Sequence, residues 1–211
     1  MEIKLETILP SEIEKRSFEI ISGELKERGI VLDEVNAPVI KRVIHTTADF
    51  DYAENLVFSS DAVIKARKAL KQGACVVTDT KMAWSGINKT ALSKCGGEAF
   101  SFISDEDVAL RAKKEGRTRS SVCMDKAAGL DRPLIFAIGN APTALIRLYE
   151  LITAGQLRPE LVIGVPVGFV NVVQAKELIM STDVPYIVAR GRKGGSNVAA
   201  AICNALLYGI K

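Results

Sequence analysis

The sequence predicts an α/β protein: a mostly parallel sheet with helices on both faces, in a Rossmann-like three-layer single domain spanning residues 1–211. Three observations carry the prediction. First, from Pro133 onward an apolar run, a Gly/Pro/Asn turn and a helical stretch recur three times: 134–138, 139–143 and 144–152; 161–165, 166–171 and 172–180; 186–189, 190–197 and 198–207. Consecutive strand-turn-helix units imply parallel strands joined by right-handed crossovers. Second, the basic, helically spaced stretch 60–71 stops at Gly73 and gives way to Ala74-Cys75-Val76-Val77-Thr78, which reads as a buried strand. Third, 211 residues with 48% hydrophobic content can bury one sizeable core, and no Pro/Ser-rich linker divides them.

The remaining elements follow in order. Pro10 and the pattern Ser11-x-x-Glu14 predict a capped helix start, with Ile13, Ile20, Ile21 and Leu25 on one face and an end near Gly23 or Gly29. Arg16, Ser17 and Phe18 interrupt that stripe, as an ordinary surface or a polar patch facing a ligand would. Pro38, Val39, Ile40, Val43 and Ile44 predict a short helix with the last four turned inward. A second strand is expected over 98–103, then a charged helix over 105–114 ended by Gly116, then another helix opening near Thr118.

Composition excludes several classes of function. With 28 basic and 25 acidic side chains, net charge +3, the chain does not announce a nucleic-acid binder, so anion recognition must come from local clusters. Cys75, Cys95, Cys123 and Cys203 are far apart, without a Cys-x-x-Cys pair and with just one histidine to join them, so a structural zinc is not expected. Met1 is followed by Glu2, Lys4 and Glu6 rather than a basic and then apolar leader, and no run of about 18 apolar residues occurs. The expectation is a cytoplasmic protein with reduced thiols and no membrane or metal partner.

The lone histidine, His45, is the first candidate for acid-base chemistry near neutral pH. It follows Lys41 and Arg42 on a polar helix face; these cations oppose its protonation, whereas Asp49, Asp51 and the helix C-terminus favour it, and spacing alone does not rank them. Asp79-Thr80-Lys81-Met82 sits where a parallel strand delivers its carboxyl end, the usual ligand position of open α/β sheets. Arg117 and Arg119 flank Thr118 at a helix start and offer bidentate donors to carboxylate or phosphate. Gly194-Gly195-Ser196 opens a helix directly after Arg190, Arg192 and Lys193, an anion site by backbone approach and charge. It matches neither a P-loop nor the GxGxxG spacing, so a substrate with several carboxylates fits better than a nucleotide.

Taken in order, seven segments resemble the precorrin-8X methylmutases, including the cobalt-precorrin-8 enzymes. They are Ile-Glu-x-x-Ser-Phe around Ser17, Arg-x-Ile-His from Arg42 to His45, Asp79-Thr80-x-Met82, Thr118-Arg119-Ser120, Gly139-Asn140-Ala141-Pro142, Pro166-Val167-Gly168-Phe169-Val170 and Gly191-Arg192-x-Gly194-Gly195-Ser196. Ala48 departs from the pattern, standing where glycine is expected, which bears on the local turn more than on the chemistry. The resemblance implies a homodimeric isomerase of corrin biosynthesis, working without a cofactor. It moves a methyl group from C-11 to C-12 of a (cobalt-)precorrin-8 and yields hydrogenobyrinate or cobyrinate. It also implies His45 as the group exchanging a proton with the ring. The substrate-binding set is then Ser17, Arg42, Thr80, Met82, Arg117, Arg119, Asn140, Gly168, Phe169, Arg192, Gly194, Gly195 and Ser196. Phe169, Val170 and Trp84 are expected against the ring or the partner, or else in the core of their own subunit. Two rival readings share these residues: a non-catalytic tetrapyrrole carrier, and a nucleotide or phosphate-ester enzyme on the same kind of fold.

Overall fold

A computed structural model describes residues 6–210. Its strands are β1 (Leu56–Phe58), β2 (Cys75–Thr78), β3 (Ala99–Phe100), β4 (Leu134–Ile138), β5 (Leu161–Gly164) and β6 (Tyr186–Ala189), in one sheet of order β1-β6-β5-β4-β2-β3. The pairs β6-β5, β5-β4, β4-β2 and β2-β3 are parallel. The edge strand β1 runs antiparallel to β6, with Leu56 opposite Ala189 and Phe58 opposite Ile187.

The helices are α1 (Ile13–Glu27), α2 (Ala37–Thr47), α3 (Tyr52–Asn55), α4 (Ala62–Lys71), α5 (Lys81–Gly86), α6 (Lys89–Lys94), α7 (Glu106–Glu115), α8 (Arg119–Ala128), α9 (Pro142–Thr153), α10 (Val172–Met180) and α11 (Ser196–Tyr208). Side chains from α1 to α6 and α11 share a core with one sheet face, and those from α7 to α10 pack on the other. Successive strand residues therefore alternate between two cores: Ile135 and Ala137 enter the first, Phe136 and Ile138 the second, all buried. Burial on both faces is why these strands read as unbroken apolar runs.

Val39, Ile40, Val43 and Ile44 are all buried beneath α2, as their spacing predicts. Two expectations need correction, and one choice between two helix ends is resolved in favour of Gly29. The Ser11/Glu14 capping box does not form: Pro10 lies in a preceding turn, Glu12 is the cap residue without a side-chain cap bond, and the Glu14 carboxylate goes to Arg42 at 2.6 Å. Helix α1 then passes through Gly23 and stops at Glu27, ahead of the left-handed Gly29. The strand expected over 98–103 is only two residues long, because side chains take its carbonyls: Trp84 Nε1 donates to Ala99 O at 2.8 Å and Lys81 Nζ to Ser101 O at 3.2 Å.

Candidate functional site at the strand ends

From β2 the chain departs to one side for β3, then crosses to β4 and builds β5 and β6 on the other side. The crevice between the carboxyl ends of β2 and β4 is therefore the switch point where ligands of such sheets lodge. Asp79 fills its floor. It is 1% exposed, and its carboxylate accepts from the N–H groups of Gly139 (2.9 Å), Asn140 (2.9 Å) and Ala141 (2.7 Å). Burial pushes this carboxyl above the usual range, and the three amide donors oppose the rise. Gly139 must be glycine, since a Cβ there would stand 2.6 Å from Ser196 Cα. Thr80 caps α5 through Ala83 N (3.0 Å) and shares a 2.8 Å hydrogen bond with Ser196 Oγ, closing the crevice between β2 and the start of α11. Asn140 and Met82 are exposed on the same rim.

The loop from β6 to α11 forms the second wall. A Cβ on Gly194 would collide with Val165 O at 2.1 Å, and Gly195 N donates to that oxygen at 2.9 Å. Arg192 lies over the Phe169 ring (5.3 Å), and its carbonyl accepts from Gly168 N at 3.2 Å. Lys193 reaches Asp49 (2.6 Å) and Asp51, which ties the loop to the end of α2 and holds the Asp49 carboxyl below the usual range. Beneath the loop Lys176, 1% exposed, donates to Gly191 O (2.8 Å) and Lys193 O (2.9 Å), and burial lowers its ammonium to about 8. Phe169 and Val170 are 81% and 79% exposed, so they do not fill their own core; Trp84, by contrast, is half-buried and held in its own subunit.

Helix α2 runs antiparallel to α11, from Arg42 beside the Tyr208 ring (5.3 Å) up to the rim at Asp49. His45 lies one turn before Asp49 and is exposed, stacked on Phe18 with ring centroids 5.3 Å apart. Arg42 covers the same Phe18 ring at 4.8 Å while pairing with Glu14. The aspartates considered as partners of His45 are thus engaged by Lys193. Ser17 sits one residue before Phe18, its hydroxyl donating to Ile13 O at 2.9 Å. Phe18 and Arg42 also border a cleft of about 510 Å³ with Lys41, Arg67 and Tyr208.

The predicted Arg117 and Arg119 part company. Arg117 is held by Asp125 (2.7 Å), Glu115 and Ser121, inside an ion network in which Asp125 also receives Arg111 and Arg147. Arg119 is exposed and has no ion pair among the described residues. Residues not singled out from sequence are Phe18 as the platform for His45, Asp79 as an anchor and Lys176. Lys176 had a signal: with Val172, Ala175 and Ile179 it lies on the inward stripe of α10.

The fold and rim define an α/β protein with an open, glycine-walled crevice at its strand ends and one exposed imidazole beside it. The precorrin-8X methylmutase family model matches residues 12–209. The chain is 46% identical over 208 residues to a cobalt-precorrin-8 methylmutase of Salmonella typhimurium, covering 96% of each. It is 43% identical over 205 residues to that of Priestia megaterium, covering 97% of this chain and 90% of the relative. A precorrin-8X methylmutase of Pseudomonas aeruginosa is 37% identical over 196 residues, covering 92% of this chain and 93% of the relative. The crystal structure of precorrin-8x methyl mutase from Thermus thermophilus superposes with a TM-score of 0.83 at 38% identity, covering 93% of this chain and 96% of that one. The chain belongs to the precorrin-8X methylmutase family, whose members are isomerases of cobalamin biosynthesis.

Proposed function

We propose that the chain, as one domain, moves a methyl group from C-11 to C-12 of a precorrin-8 ring, with His45 passing a proton to the ring and taking it back. Substrate and product are isomers: one carbon-carbon bond breaks, another forms, and no net proton is consumed. One imidazole that is restored at the end of each cycle meets that balance. The observation that carries the reading is the exposed His45 on its Phe18 platform, one helical turn from a rim built of Thr80, Asn140, Gly168, Arg192, Gly194, Gly195 and Ser196. The rim holds the ring by its carboxylate arms, Arg42 and Arg119 supply further donors, and Ser17, whose proton goes to Ile13 O, offers its oxygen as an acceptor.

The ring carries cobalt in this reading, because three relatives at 41–46% identity are named for the cobalt substrate, whereas at 35–37% both names occur. A second copy of the chain covers the exposed Met82, Val167, Phe169 and Val170 and supplies the other wall. The free cysteines fit a reducing cytoplasm. Incubation with cobalt-bearing and metal-free precorrin-8, followed by visible absorption, tests the proposal. A spectral change to cobyrinate is expected; no change with either ring overturns the activity, and a change with the metal-free ring alone overturns the cobalt assignment.

A further inference from the structure

Two turns at the rim use their backbone groups in opposite ways. In the turn after β4, Asp79 occupies three successive N–H groups, those of Gly139, Asn140 and Ala141, so none is left to donate to an anion. In the loop after β6 the buried group is a cation and it occupies carbonyls instead: Lys176 Nζ holds Gly191 O and Lys193 O. A trans peptide unit is planar, with its C=O and N–H pointing in opposite directions. Carbonyls turned down onto Lys176 therefore turn the N–H groups of Arg192 and Gly194 away from it. Neither N–H has a protein acceptor among the described residues, and residues 191–193 are exposed.

Lys176 has no carboxylate among its hydrogen-bond partners, and an ammonium buried without a counter-charge is costly. An apolar side chain of similar length would fill the inward stripe of α10 at lower cost. What that side chain could not do is hold two carbonyls of a loop that is glycine-rich and without regular secondary structure.

We infer that Lys176 is a positioning residue which sets the β6–α11 loop so that the amide N–H groups of Arg192 and Gly194 form a donor pair for one carboxylate arm of the substrate. The inference rests on the corrin-precursor reading of the site. Beside this pair the Arg192 guanidinium, stacked on Phe169, adds charge, and Lys193 with Asp49 and Asp51 fixes the loop laterally without touching the two amides.

The experiment has two arms, both read with cobyrinate, the product of the cobalt-bearing ring, as the probe. In the wild-type chain, amide hydrogen exchange at Arg192 and Gly194 is fast and becomes protected when the product binds; amides that stay equally fast in the complex overturn the donor pair. In Lys176→Met, product affinity falls about tenfold and KM rises by a similar factor, while kcat falls less than about threefold and the melting temperature is unchanged or higher. Lys176→Arg, which keeps a donor cation, recovers part of the affinity. A Met variant that binds like wild type overturns the role of Lys176, as does one whose loss of affinity is matched by a loss of thermal stability. Wild-type protein that fails to bind the product overturns the reading of the site itself, and this inference with it.

Discussion

Asp79→Asn is an isosteric change, and its consequences can be worked from three distances. Oδ1 serves Gly139 N (2.9 Å), and Oδ2 serves Asn140 N (2.9 Å) and Ala141 N (2.7 Å). The amide retains most if its oxygen takes the position serving two donors, but its NH2 then faces the N–H of Gly139, and that donor is orphaned where no water reaches it. Hydrogen bonds to charged groups contribute about 1.5–3 kcal/mol each, and the two that survive become neutral and weaker. Relief from burying a charge offsets part of this, leaving a net loss of about 3 kcal/mol. For a chain of this length that corresponds to a melting temperature lower by about 6–12 °C. Thermal melts of both proteins at equal concentration measure it, since self-association would otherwise shift the midpoint. A fall of less than about 3 °C would refute the view that Asp79 anchors the β4–α9 turn through those three amides.

His45→Ala lowers turnover by about 100- to 10,000-fold while product affinity stays within tenfold; a variant with normal turnover removes His45 from the chemistry. Ala48 caps α2 in the left-handed conformation (φ 54°), so Ala48→Gly raises stability by about 1 kcal/mol, and an unchanged or lower midpoint in urea contradicts it. Asp125 titrates under two opposing influences: burial pushes its carboxyl up, but Arg117 and Arg147 outweigh burial and hold it below the usual range. Its contribution is then present above the unfolded value of about 3.9 and is lost as pH falls through the folded one, so Asp125→Asn destabilises at pH 7 and flattens the acid limb of the stability curve. An acid limb as steep as that of wild type would show that Asp125 does not contribute to it.

Much of this architecture was legible because parallel strands covered on both faces leave continuous apolar runs, as 134–138, 161–164 and 186–189 do. β1 was not, because three residues pairing at a sheet edge carry no period, and α5 and α6, six residues each, are too short for a helical one. The Ser11/Glu14 motif misled because a long-range partner, Arg42, competes for the same carboxylate. At the site, glycine turns and the lone histidine were visible as residue types. What sequence order does not encode is which charges satisfy one another: Lys193 claims Asp49 and Asp51, and Asp125 claims Arg117, so residues that look available on paper are already engaged.

That division of charges is what the proposed function would require of an open rim that selects a polyanion. A rim whose cations were all free would bind any anion, and salt would screen it. Here Arg117, Lys193 and Lys176 are committed to the protein's own carboxylates and carbonyls, so the net attraction is modest and the donors that remain are directional. Arg119, Arg190 and Arg192 are exposed and have no ion pair among the described residues, with Arg192 fixed over Phe169. Binding through a few oriented donors rewards a ligand whose carboxylates lie at matching separations around a rigid ring. Removing Arg192 in an Arg192→Ala variant therefore costs more for the intact corrin ring than for a small tricarboxylate such as citrate. Parallel titrations with the two ligands check this, and equal losses would mean that the rim recognises charge alone.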